Sequence, residues 1–335
     1  MIKQFKYILS TIVLSFFVCT IDVSAEVKIT SRESIKLDGK TVYKLYDNLS
    51  TGKTDIVGAT GAIITMTIDG KAYTGYCVDF GVSISAGTTA QKLDMFEYYK
   101  NVLGEEEANK LVQKLVLYTS FGYGTTGKTT DKYYLATQQL IWQAISDSGF
   151  YESDFYKERS GEKYNIQNMG WTTDKTTRID ISTEINAIES AVKNYFVTPS
   201  FCSSQNKLEI EIGKTVTYTD DNNVLSKYEV SCDNGLTCQT DGNKLSVTGK
   251  NEASENKINF LKPSSGIENV IYRSGNDQGI VADRGILESI QCEFGVDTFK
   301  NEKTSDTQII YIVVMGLFCG TMVYITCYTK KSLEK

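Results

Sequence analysis

Two places in this sequence could do chemistry. The first is a single cysteine. The chain holds 8 cysteines and no histidine. Cys19 directly follows an N-terminal apolar run and Cys319 and Cys327 fall in a C-terminal one, while Cys202, Cys232, Cys238 and Cys292 gather in the second half. Cys77 is left over, and an odd thiol in an exported protein is either a buried core residue or a nucleophile. The second place is Gly122-Tyr-Gly-Thr-Thr-Gly-Lys-Thr129, which matches the spacing of a phosphate-cradling loop. The missing imidazole narrows the choices at once. Ser-His-Asp hydrolysis, Cys-His proteolysis and His-ligated zinc are all closed to this chain acting alone.

The elements that must carry these residues can be read from periodicity. Thr41–Tyr46, Ala62–Ile68 and Ala72–Phe80 alternate as strands, and Asp69-Gly70 marks a hairpin turn between the last two, so Cys77 sits near the end of a hairpin strand. Helical spacing follows over Lys92–Leu103 and Glu105–Tyr118, then again over Tyr133–Ser146 behind a cap at Thr130 or Asp131, and over Thr183–Tyr195. On the third of these helices, Gln138 shares a face with Trp142, whereas Gln139 and Gln143 share a neighbouring one. A new pattern begins after Pro199. Short alternating runs at 208–212, 215–218, 227–231 and 244–248, separated by Asn, Asp and Gly turns, predict a small immunoglobulin-like β-sandwich over 199–298.

The two ends read as targeting and anchoring segments. Lys3 and Lys6, an apolar run from Tyr7 to Val18 and small residues at Val23–Ala25 form a signal peptide over 1–25. Residues 299–308 are a polar juxtamembrane linker. Ile309–Tyr328 is uncharged and long enough to span a bilayer, and the lysines within 329–335 favour a cytoplasmic tail. The expected location is therefore the cell membrane, single-pass, with the N-terminal ectodomain at the cell surface. A net charge of −6 with no long basic run argues against nucleic acid as a partner.

Tyr76-Cys-Val-Asp-Phe80 and Ala136-Thr-Gln-Gln-Leu-Ile-Trp142 together resemble the paired motifs of the thioester domains of Gram-positive surface adhesins and pilus-tip proteins. The resemblance covers roughly Glu26–Phe196. It implies an α+β chain: a thioester domain over 26–198, built as a β-sandwich or barrel with a helical insertion, then the small β-sandwich and the membrane helix. It implies a crosslink between Cys77 and Gln138, the glutamine directly after the threonine, with Tyr76, Phe80, Thr137 and Trp142 flanking the site. A thiolate would attack the carboxamide and expel ammonia, which requires near-attack geometry and exclusion of water. The implied function is covalent capture of a lysine amine on a host surface or extracellular-matrix protein. That is a single-use reaction rather than enzyme turnover, and it needs no cofactor and no metal. Thioester domains of this kind also carry a Gly-Tyr-Gly loop ahead of the Thr-Gln helix, which accounts for the phosphate-loop match. The sorting pentapeptide of such adhesins is missing, since no proline follows Pro263.

Two other readings remain at this point: a non-covalent extracellular binding module with Cys77 in its core, and a phosphate-loop nucleotide-binding protein in which Leu115–Tyr118 is a strand. Asp79 is set aside as a turn or cap residue. Asn48-Leu-Ser50 matches a glycosylation sequon by chance. Among the second-half cysteines, closeness in sequence favours Cys232 with Cys238, and Cys202 and Cys292 bracket the sandwich; the other connectivities remain open.

Overall fold

The computed structural model describes residues 27–48, 52–160, 166–203 and 208–300. The expected signal peptide, most of the linker, the span 309–328, the tail, and Cys19, Cys319 and Cys327 lie outside the described residues. Among those described, no helix is long and apolar enough to cross a membrane.

The chain divides into two compact units. One runs to Phe196 and takes in Ser264–Ser289; the other comprises Val197–Pro263 and the chain from Ile290. The first unit starts with β1 (Val27–Ser34), the short hairpin β2 (Lys36–Leu37) and β3 (Lys40–Thr41), then β4 (Tyr43–Asn48), β5 (Lys53–Thr60), β6 (Ala62–Ile68), β7 (Lys71–Cys77) and β8 (Thr89–Asp94). Helices α1 (Met95–Leu103), α2 (Glu105–Phe121), α3 (Asp131–Asp147) and α4 (Asp154–Ser160) follow, then β9 (Ile166–Thr172) and α5 (Ser182–Tyr195). The second unit supplies β10 (Leu208–Glu211), β11 (Thr215–Thr219), β12 (Glu229–Cys232), β13 (Leu236–Asp241), β14 (Lys244–Gly249) and β15 (Ala253–Lys262). The chain then returns to the first unit for β16 (Val270–Arg273) and β17 (Ile280–Ala282), and ends its described part on β18 (Ile290–Phe299).

Six strands close a barrel in the order β1-β6-β7-β17-β16-β8, and β5-β4-β9 form a separate sheet. The expected hairpin is present: Asp69 and Gly70 both take positive φ, 51° and 77°, as a two-residue turn with right-handed strand twist demands. Helix α1 starts three residues after the periodicity predicted, because Thr89–Asp94 is drawn into the barrel as β8 and Asp94 caps the helix by accepting from Glu97 N–H at 2.8 Å.

The uninterrupted second domain expected over 199–298 is corrected by this topology. Residues 264–289 belong to the first unit and Ile290 returns the chain to the sandwich, so the two units are interleaved in sequence rather than consecutive. The physical reason is barrel closure. Strand β17 pairs with β7 and β16 with β8, and without them both would be left as open edges. The sandwich itself has seven strands in two sheets, β10-β18-β15-β12 and β11-β14-β13, around a core that includes Phe201, Ile210, Leu245, Val247, Phe260 and Val296. Cys202 and Cys292 are disulfide-bonded, as expected. Cys232 and Cys238 are free thiols, so the second expected bridge is not formed; they face each other from β12 and β13, and burial and the Cys232 thiol both push the Cys238 thiol up.

Candidate functional site

The site is built where α3 lies along β7. Tyr134, Gln138 and Trp142 are spaced i, i+4, i+8 and occupy one helix face; Gly75 and Cys77 are two apart and occupy one strand face. Four helical residues rise about 6.0 Å and two strand residues about 6.6 Å, so the two elements can stay in step over one turn. They do. Tyr134 OH donates to Gly75 O at 2.9 Å and accepts from Ile64 N–H at 3.3 Å, which pins the start of the helix to β7 and β6. One turn on, the Gln138 carboxamide meets Cys77 twice: Cys77 N–H donates to Gln138 Oε1 at 2.7 Å, and Gln138 Nε2 donates to Cys77 O at 2.8 Å. Gly75 must be glycine, since a Cβ there would stand 2.7 Å from Ile280 Cγ2.

Both residues are buried, Cys77 at 6% exposure and Gln138 at 2%. The flanking residues expected from the sequence are all near. Tyr76 stacks on Tyr134 with ring centroids 5.3 Å apart and donates through its hydroxyl to Tyr123 O. Phe80 meets Trp142 edge-on at 5.0 Å, and Trp142 packs on Trp171 at 5.3 Å. Trp171 in turn donates from Nε1 to Leu135 O at 3.0 Å.

Thr137, directly before Gln138, also links the site to the glycine loop. Its hydroxyl donates to Tyr133 O at 2.8 Å and accepts from Tyr123 N–H at 2.9 Å, so it ties the glycine loop to the helix. Gly122 lets the loop come this close: a Cβ there would fall 2.3 Å from Thr137 Oγ1 and 2.6 Å from Tyr118 O. Leu115–Tyr118 lie inside α2, so a helix rather than a strand enters the loop, against the nucleotide-binding alternative. Gly124 N–H is spent within the loop on Lys128 O at 2.9 Å.

Of the three glutamines, Gln138 is the one hydrogen-bonded to Cys77. Gln143 donates to Asp147 at 2.7 Å, and Gln139 is half-buried towards Gly170. Asp79 is fully buried and holds the strand exit: Oδ2 accepts from Gly279 N–H at 2.8 Å, Oδ1 from Tyr98 OH at 3.2 Å, and its backbone carbonyl from Gln278 Nε2 at 2.6 Å. Tyr151 and Tyr156 donate to the carbonyls of Val78 and Phe80. Each carbonyl from 78 to 80 is thereby satisfied by a side chain, as buried irregular backbone requires.

A pocket of about 330 Å³ opens onto the pair, lined by Arg32, Lys44, Cys77, Gln138, Trp142, Trp171 and Gln278 among others. Lys44 is 7% exposed, its Nζ 4.8 Å from the Trp142 ring centroid. Burial pushes the Cys77 thiol up to about 11, with Lys44 the largest opposing influence. Lys44, Trp171, Tyr134 and Gln278 are not singled out by the sequence. A faint signal existed for one of them: Val42, Lys44 and Tyr46 alternate along one strand face, which places the lysine among apolar neighbours.

The architecture of the chain has a counterpart among solved proteins. It is similar to the thioester domain of the Staphylococcus aureus TIE protein, at 18% identity and a TM-score of 0.50, over 83% of this chain and 99% of that one. The chain has a thioester-domain-like fold. At such identity the likeness establishes the architecture alone. No family model matches the chain, and no curated protein matches it either.

Proposed function

We propose that the chain is a bacterial surface adhesin whose Cys77 and Gln138 join as an internal thioester, which then captures an amine on a host surface or matrix protein. The observation that carries this reading is the two-point clamp of the Gln138 carboxamide on the Cys77 backbone. The clamp fixes the carboxamide beside the residue that bears the sulfur, and fixed placement of this kind favours attack over chance encounter. The Cys77 N–H also points at the oxygen that becomes an oxyanion when sulfur adds, and a donor preset in a buried site favours that step. Tyr76, Phe80, Tyr134, Trp142 and Trp171 give the acyl group an apolar surround, and the pocket lined by Lys44 and Gln278 gives an amine its way in.

Capture needs no external energy, because a thiolate leaves an acyl carbon more readily than an amide nitrogen does. The partner's amine becomes an amide of Gln138 and Cys77 regains its thiol, so each molecule acts once. Signal-directed export and a membrane span at 309–328 belong to the same proposal. The test is to mix the purified protein with a lysine-rich host protein such as fibrinogen. An adduct that survives boiling in detergent and reductant is expected, absent in Cys77→Ala and Gln138→Ala. An adduct formed equally well by Gln138→Ala would place the acyl donor elsewhere.

A further inference from the structure

Forming the thioester moves a proton as well as a bond. The thiol loses one hydrogen and the departing amide nitrogen gains it, so that thiol and carboxamide become thioester and ammonia. Something in the pocket has to carry that proton. Three titratable residues line it: Arg32, Lys44 and Cys77. Arginine does not deprotonate in proteins, and Cys77 is itself the reactant. Histidine, the usual carrier near neutral pH, is absent from the chain. The neighbouring acid and phenols are committed to structure: Asp79 to Gly279 and Tyr98, Tyr134 to Gly75 and Ile64, and Tyr76 to Tyr123.

Lys44 remains. It projects from β4 into the pocket, and its Nζ lies over the rings of Trp142 and Phe80, at 4.8 and 6.0 Å from their centroids. Among the described residues no carboxylate pairs with it. Burial lowers its pKa; Cys77 is the largest charge acting the other way, and Arg32 adds to the lowering. The net lowering makes the neutral amine easier to reach than for a lysine in water. The thiol needs one, because burial pushes it up to about 11 and the thiolate is scarce near neutral pH. Attack that waits for spontaneous ionisation is correspondingly rare.

We propose that Lys44 is the proton carrier of the Cys77–Gln138 site, its neutral amine taking the thiol proton and its ammonium delivering it to Gln138 Nε2 as the C–N bond breaks. The transfer runs directly or through one water. Sulfur ends bonded to the Gln138 carbonyl carbon, ammonia leaves, and Lys44 is neutral again. During capture the same amine takes the proton of the attacking nitrogen and returns it to Cys77 Sγ. The inference rests on the thioester reading above.

Its test uses the full chain and two variants. Lys44→Arg keeps the charge but cannot release a proton; Lys44→Met keeps an unbranched stem between the two rings and has no proton to give. The readout is the rate at which newly made protein loses about 17 Da, the mass of ammonia, with circular dichroism reporting the fold. Slowing by about 10²-fold or more is expected in both variants, with added imidazole speeding Lys44→Met and leaving wild type unchanged. A folded Lys44→Arg that loses the mass at the wild-type rate would overturn the inference, since a fixed charge would then suffice. So would a folded Lys44→Met that does the same. If wild type itself never shows the loss, the thioester reading fails, and this inference with it.

Discussion

Replacing Gly122 by alanine tests whether the glycine loop positions the helix that carries Gln138. The added Cβ would sit 2.3 Å from Thr137 Oγ1, 2.5 Å from Thr137 Cγ2 and 2.6 Å from Tyr118 O. Gly122 has a φ of −85°, so the cost is steric rather than conformational. One of the three clashing atoms is a backbone carbonyl inside α2, which cannot swing aside as a side-chain tip can. Overpacking of this kind costs about 1–3 kcal/mol, and losing the Tyr123 N–H bond to Thr137 adds about 0.5–1.5 kcal/mol. Together that is roughly 2–4 kcal/mol, a fall of about 5–15 °C in the Tm of a unit this size. Thr137 precedes Gln138 directly, so a displaced helix also takes the carboxamide off Cys77, and an ångström of misplacement slows a positioned reaction on the order of 10²-fold. The assay is thermal unfolding followed by circular dichroism, paired with the rate of the ammonia mass loss. Gly124→Ala is the control: its φ is 92° with no atom within 4 Å of the added Cβ. It costs about 1–2 kcal/mol of backbone strain and leaves the site in place. A Gly122→Ala protein with wild-type Tm and wild-type mass loss would refute the positioning argument.

Two further outcomes concern the cysteines. Non-reducing peptide mapping should find Cys202 joined to Cys292 and no link from either to Cys232 or Cys238; removing the bridge, which spans 90 residues, with Cys202→Ser should cost about 2–5 kcal/mol. In protein whose thioester has been opened with methylamine, Cys77 is a buried thiol again. Its alkylation rate should therefore rise with pH about a midpoint near 11, above that of an ordinary thiol, and a midpoint at or below 9 would show that burial does not govern it.

The Cys77–Gln138 pair was legible because its two residues sit in short motifs that resemble those of thioester domains. Gln138 and Trp142 one turn apart, and Cys77 at a hairpin strand's end, are local facts, and the elements carrying them follow from turn chemistry and helical periodicity. Closure of the barrel was not legible. Strands β16 and β17 have four and three residues, too few to show an alternation, and they follow the sandwich strands in sequence while pairing with β8 and β7 far upstream. Lys44 went unnoticed for a related reason. Its strand face was visible, but that face becomes the wall of a pocket only when Trp142 and Trp171, more than ninety residues on, pack against it. The glycine loop shows the opposite error: its spacing imitates a phosphate cradle, yet the helix entering it and the tight contact with Thr137 give it a packing role.

The central claim is a covalent bond between Cys77 and Gln138, and the mass of the intact protein tests it most directly. Calculated from the observed N-terminus and corrected for the Cys202–Cys292 disulfide, wild type should be about 17 Da lighter than its sequence, the mass of one ammonia. Cys77→Ala and Gln138→Ala should show no such deficit, and methylamine should abolish it in wild type while leaving Cys77 open to alkylation. A wild-type mass equal to the unmodified chain, with Cys77 alkylated once the protein is unfolded, would contradict the account.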